Sequence, residues 1–169
     1  LQRFKSGFHA MSTSLKKRTA RLSVMSNSLL IIMKLTVGII SGSVSILSEA
    51  IHSSLDLVAA IIAFFAVKIS GTPADDRHPF GHGKVENVSG VIEALLIFAA
   101  SAWIVYEAIS RFINPGAPEA LGFGVLVMAV SAVVNTLVSR RLYKVARQTD
   151  SVALEADALH LKTDVITSA

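Results

Sequence analysis

Cysteine is absent from the 169 residues, so neither a disulfide framework nor thiolate metal ligation is available, and a transition-metal site has to be built from imidazole and carboxylate. Charge is scarce as well. Only 17% of the residues are charged while 52% are hydrophobic, and the mean hydropathy of +0.59 lies far above that of a soluble domain. The bilayer is the solvent such a composition fits. The formal charge of +4 does not point to nucleic acid, because the Lys and Arg residues flank apolar stretches and lack the interleaved aromatics of a base-stacking surface. A cleavable signal is not expected either, since Leu1 to Arg21 is basic and polar with no apolar core before a small-residue cleavage site. Those residues read as a basic arm ahead of the membrane. No low-complexity tract or internal repeat stands out.

Crossing the hydrocarbon core takes roughly 20 mostly apolar residues in a helix. Four stretches reach that length: Leu22–Ile40, Ser45–Ile69, Val88–Phe112 and Leu121–Tyr143, and a fifth opens near Val152 and runs to Ala169. The expected fold is therefore all-α, a polytopic membrane helix bundle, with residues 1–21 as a basic cytoplasmic arm and 22–169 as the transmembrane domain. Short turns at Ser41-Gly42-Ser43 and Asn114-Pro115-Gly116-Ala117-Pro118 carry no basic residue. Arg3, Lys5, Lys16, Lys17, Arg18 and Arg21, then Arg77 and Lys84, then Arg140, Arg141, Lys144 and Arg147 gather at the opposite ends of the spans. The positive-inside rule then puts the two turns outside and the N-terminus in the cytoplasm. Arg111 dissents, at an outer end from which it can snorkel to the headgroups.

Ionisable groups at membrane depth are costly, so each is a functional candidate unless a partner explains it. In span two, Ser45, Glu49, His52 and Asp56 follow one another at steps of three or four and share a helical face. Span five carries Asp157, His160, Asp164 and Thr167 in the same way. Two helices of opposite direction thus each present His-x-x-x-Asp. Counting from Lys68 and Asp150 at about 1.5 Å per residue, Asp56 and His52 lie about 18 and 24 Å deep, and His160 and Asp164 about 15 and 21 Å. The pairs fall at similar depth, so two nitrogens and two oxygens can converge as zinc prefers, with cobalt and cadmium plausible and iron or manganese less so. The plainer alternative makes each His an interhelical hydrogen-bonding residue and each Asp a partner of Lys34 or Lys162.

A second cluster, Asp75, His78 and His82, falls in the loop between spans two and three, where Gly81 and Gly83 permit a tight backbone path; it reads as a three-ligand, partly exposed site or as a solvated loop. Lys84 and Glu86 suit the start of span three. Lys34 is expected to bridge to Glu49 or Glu93. Asn27, Asn135, Glu93 and Glu107 are read mainly as structural, and Ala94, Ala99, Ala100 and Ala102 as a close-packing face of span three.

GSVSILSEAIHSSLD, DDRHPFGHGKVE and ADALHLKTD, in that order and topology, resemble the cation diffusion facilitator family of divalent-metal transporters. The resemblance runs from about Arg18 to Ala169. It implies that His52, Asp56, His160 and Asp164 form the transport site, with the His/Asp composition of zinc-transporting members, and that Asp75, His78 and His82 match a loop site of some bacterial members. It also implies exchange of metal for protons, zinc export from the cytoplasm, a homodimer, and residence in the bacterial inner membrane. Glu49 stands where several members have Asp or an apolar residue, a position for selectivity or proton coupling. Members carry a sixth span and a cytoplasmic C-terminal domain, so this sequence is expected to be truncated, with five of six helices. A membrane scaffold or sensor that holds metal without moving it is the alternative. An intramembrane metallohydrolase, with Glu49 as base, lacks the His-Glu-x-x-His pair, and no enzyme is expected.

Overall fold

The computed structural model of the chain describes residues 2–113 and 121–167. The expected turn at 114–118 lies outside the described residues, as do the side chains of Arg3, Lys5, Glu107, Arg111 and Thr167. Every regular element among the described residues is a helix: α1 Gln2–Ser41, α2 Val44–Ser70, α3 Lys84–Ile113, α4 Leu121–Thr149 and α5 Val152–Thr167. α1 to α4 each contain a stretch long and apolar enough to cross a membrane. The first of these, Met11–Ser41, takes in half of the expected arm. No proline interrupts residues 2–41, and Thr19 and Ala20 are buried, so the helix passes the expected boundary at residue 21 without a break.

Reversals between helices are built by backbone chemistry at single residues. α1 ends at Gly42, whose φ of 67° suits a residue without Cβ. Ser43 then caps α2, its hydroxyl accepting from the Ile46 amide at 3.2 Å. Between α4 and α5, Asp150 takes the left-handed conformation at φ 49°, and the Ser151 amide reaches back to the Ala146 carbonyl at 3.1 Å. That six-to-one bond is a Schellman closure, and it turns α5 back along α4 within two residues.

α1 packs on α2 and α4, α4 on α5, and α3 on α2 and α5, while α2 also meets α5. Small residues allow this closeness. Ala63, Ala66 and Val67 of α2 meet Val138, Leu142 and Val145 of α4 and Ala153, Leu154, Ala158 and Leu161 of α5 in one core, which Ala20 of α1 joins. Large apolar side chains such as Leu29, Ile40, Phe98, Trp103 and Phe112 point outward. In water that surface would aggregate; in a bilayer it meets lipid. Of the alanines expected to form a packing face on α3, only Ala100 is buried, and Ala94, Ala99 and Ala102 are exposed. They fall on the side of α3 turned away from α2 and α5. The close approach comes instead at Gly90, where an added Cβ would lie 2.9 Å from Val152 Cγ1.

Candidate metal centre

On α2 the buried positions run Ala50, Ser53, Asp56, Ala59, Ala60, Ala63, Ala66 and Val67. Asp56 is therefore carried inward by the same three-to-four-residue register that buries alanines, and His52 flanks that face half-buried. On α5 the same register buries Asp157, His160 and Asp164 alongside Leu154 and Leu161. Because the helices run in opposite directions, the pairs cross. His160 Nε2 lies 3.2 Å from Asp56 Oδ1, and His52 Nε2 lies 3.8 Å from Asp164 Oδ1. A third approach, 3.8 Å from His160 Nε2 to Asp164 Oδ2, joins the two pairs. The pairing is the one that depth along the helices predicts.

These separations have a chemical meaning. Bonds of about 2.0–2.2 Å to a tetrahedral ion put its donor atoms about 3.3–3.6 Å apart. The observed approaches of 3.2, 3.8 and 3.8 Å straddle that edge length. Donor atoms of His52, Asp56 and Asp164 all fall within 4.8 Å of one another. Asp56, His160 and Asp164 are 3%, 1% and 8% exposed, so an ion here would sit in a nearly dry site. The gap beside His160 and Asp164, against Ile97 and Ile104 of α3, measures only about 10 Å³, barely room for one water.

Neighbouring groups border the His/Asp cluster. The Lys34 ammonium donates to Ser53 Oγ at 2.7 Å and to Glu49 Oε1 at 3.2 Å, which is the first of its two expected partners. Lys162 is exposed. Neither lysine takes up the site aspartates in the way the plainer alternative requires. Asn27 of α1 donates through Nδ2 to the Asp56 carbonyl at 3.4 Å, an interhelical bond that holds the ligand-bearing turn.

The loop cluster is assembled by its own backbone. Asp75 Oδ1 accepts from the His78 amide at 2.7 Å and from the Arg77 amide at 3.0 Å, an Asx turn that curls the loop. The His78 amide bond, ahead of its other contacts, holds the Asp75 carboxyl below the usual carboxylate range. His78 Nδ1 then lies 3.0 Å and His82 Nε2 3.6 Å from the Asp75 carboxylate, and the two rings are 4.3 Å apart. Gly81, at φ 78°, provides the bend between the histidines. His78 and Asp75 are more than half exposed, so this triad is open where the helical one is closed.

Two features have surroundings that pattern did not assign. Glu86, expected only as a first-turn acid of α3, accepts from Lys16 at 2.8 Å, from Ser70 at 2.7 Å, and from Ser151 through a very short bond. It ties α1, α2, α3 and the α4–α5 turn together beside a cavity of about 370 Å³. Its position in the same loop motif as the histidines was the available signal. Glu93 and Asp157 are fully buried, and no carboxylate oxygen of either has a hydrogen-bond partner among the described residues. A carboxylate at membrane depth was the signal there.

Residues 20–169 match the cation efflux transmembrane domain. The chain is 37% identical over 158 residues to the uncharacterized transporter sll1263 of Synechocystis sp., covering 94% of this chain and 51% of that protein. It is 36% identical over 154 residues to the cation-efflux pump FieF of Shewanella oneidensis, covering 90% and 52%. It is 33% identical over 131 residues to the magnetosome protein MamB of Magnetospira sp., covering 78% and 45%. The chain thus spans about half the length of these relatives, and it belongs to the cation efflux, or cation diffusion facilitator, family of membrane transporters.

Proposed function

We propose that the chain is the transmembrane part of a divalent-metal transporter that carries zinc out of the cytoplasm in exchange for protons, through a four-ligand site of His52, Asp56, His160 and Asp164. The observation that carries the reading is the crossing of the two His-x-x-x-Asp pairs of α2 and α5, His160 lying 3.2 Å from Asp56 and His52 3.8 Å from Asp164, beside a mutually close group of His52, Asp56 and Asp164. Two imidazoles and two carboxylates suit zinc, and cadmium or cobalt would fit the same donors, with Fe2+ and Mn2+ less favoured. An imidazole has to be neutral to ligate, so metal and proton compete for one lone pair, and exchange needs no separate proton path. Named relatives are cation-efflux pumps, which supports the outward direction. The basic residues at the ends of α2 and α4 support a cytoplasmic N-terminus in the bacterial inner membrane.

In this reading Asp75, His78 and His82 hold a second, more exchangeable ion in the cytoplasmic loop. Glu49, bonded to Lys34, adjusts charge beside the site, and the working unit is a homodimer in the lipid bilayer. Replacing Asp56 or Asp164 by Ala in the complete protein, reconstituted in liposomes, should abolish zinc-driven proton flux. Undiminished flux in both variants would overturn the assignment.

A further inference from the structure

We propose that Glu93 of α3 and Asp157 of α5, with Ser23 of α1, form a second intramembrane site, an oxygen-only one that takes a divalent cation on its way to or from the transport site. Each residue is 0% exposed. None of the four carboxylate oxygens, nor the Ser23 hydroxyl, has a hydrogen-bond partner among the described residues. α3 packs on α5, the two carboxylates lie within electrostatic range of one another, and Ser23 of α1 and His160 stand close enough to Asp157 to act on its charge. Burying a carboxylate without full compensation is severely unfavourable, and here two are buried together, Glu93 with no stabilising neighbour and Asp157 with only Ser23 and His160 beside it. No lysine is spent on them: Lys34 is held by Glu49 and Ser53, and Lys16 by Glu86. A doubly charged cation answers both carboxylates at once.

The donors set the class of ion and the place sets the role. Carboxylate and hydroxyl oxygens without imidazole suit hard cations and hold zinc more weakly than a mixed nitrogen and oxygen set. Asp157 stands one helical turn from His160, on the side facing the start of α5, where Val152 and Asp150 line the 370 Å³ cavity with Glu86. The role as a staging site between that cavity and the Asp56–His160 pair rests on the transport reading above. The binding itself does not.

The probe is Mn2+, an oxygen-preferring ion whose free six-line electron paramagnetic resonance signal is lost on binding. In the full-length protein in nanodiscs, E93Q/D157N should bind one Mn2+ per chain fewer than the parent. D56A/H160A, which disables the transport site, should lose no more than that site's own ion and should still lose one more when E93Q/D157N is added. Single E93Q and D157N variants, being isosteric, guard against misfolding and should each weaken the same Mn2+ at least tenfold. With zinc flux as a second readout, E93Q should lower kcat/KM several-fold by raising KM while zinc affinity at His52, Asp56, His160 and Asp164 holds. Equal Mn2+ counts in parent and E93Q/D157N, the result expected if the two acids carry protons, would overturn the proposal. Loss of flux in every protein with the Mn2+ difference intact would count against the transport reading alone.

Discussion

Lys34 is the one buried lysine or arginine among the described residues, and its ammonium is shared between Glu49 and Ser53. Removing one member of such a pair leaves the other as an uncompensated charge, at a cost of about 3 kcal/mol when burial is partial, as for Glu49 at 25% side-chain exposure. Lys34→Ala should therefore lower the thermal unfolding temperature in detergent markedly. Lys34→Ala combined with Glu49→Ala should recover part of the loss, and a double variant as unstable as the sum of the singles would refute the pairing. In the loop, Asp75 stays ionised below the usual carboxylate range because the His78 and Arg77 amides hold it. Its lowered value means that its charge is present at neutral pH and is lost only below the ordinary value of about 3.9. In the proposed function, acidifying from pH 7 to 5.5 should then weaken metal binding by the loop, because protons and metal compete for the same nitrogen lone pairs, while Asp75 remains an anion. Titration calorimetry at the two pH values on a variant lacking the transport site should show proton uptake on release, and Asp75→Asn should weaken binding at both. A loop affinity independent of pH would contradict this.

At the scale of elements, Glu86 joins four segments at one end of the bundle, whereas Gly42 and Ser43 close the other end by a turn. Bonds to a charged acceptor are worth about 1.5–3 kcal/mol each. Glu86→Ala should destabilise the chain by more than Ser70→Ala. In hydrogen exchange it should also expose amides near residues 12–20, 67–72 and 148–153 before those around Gly42. Uniform loss of protection along all helices would show that Glu86 holds no particular end.

The helices themselves were legible, since four apolar stretches of spanning length need only be counted, and their ends moved by a few residues. The helix that carries span one starts earlier than the apolar stretch, in turns too polar for hydropathy to register. Those turns are helical because nothing breaks them, and Thr19 and Ala20 are buried by contacts no local pattern records. The alanine face of α3 failed for a related reason. Periodicity finds a stripe of small residues but not which neighbour it meets, and the tight contact is at Gly90.

For the whole molecule, two antiparallel helices bring residues 104 positions apart, Asp56 and His160, to 3.2 Å. That meeting was legible because rise per residue fixes depth, and similar depth on antiparallel neighbours leaves little freedom in pairing. What depth could not give is rotation about each helix axis, so the proximity of Glu93 to Asp157 and the four segments joined at Glu86 emerged only from packing. On the α3 side the gap beside His160 and Asp164, lined by Ile97 and Ile104, is only about 10 Å³, so in the proposed function passage of a metal would require helix movement. X-ray absorption at the zinc edge tests the central claim most directly, on the full-length protein with Asp75, His78 and His82 replaced and zinc added to one equivalent of the remaining mixed-donor site. The account predicts four light donors at about 2.0–2.1 Å, two of them imidazoles, reduced to one in His160→Ala. A spectrum without imidazole scattering, or one unchanged by His160→Ala, would contradict it.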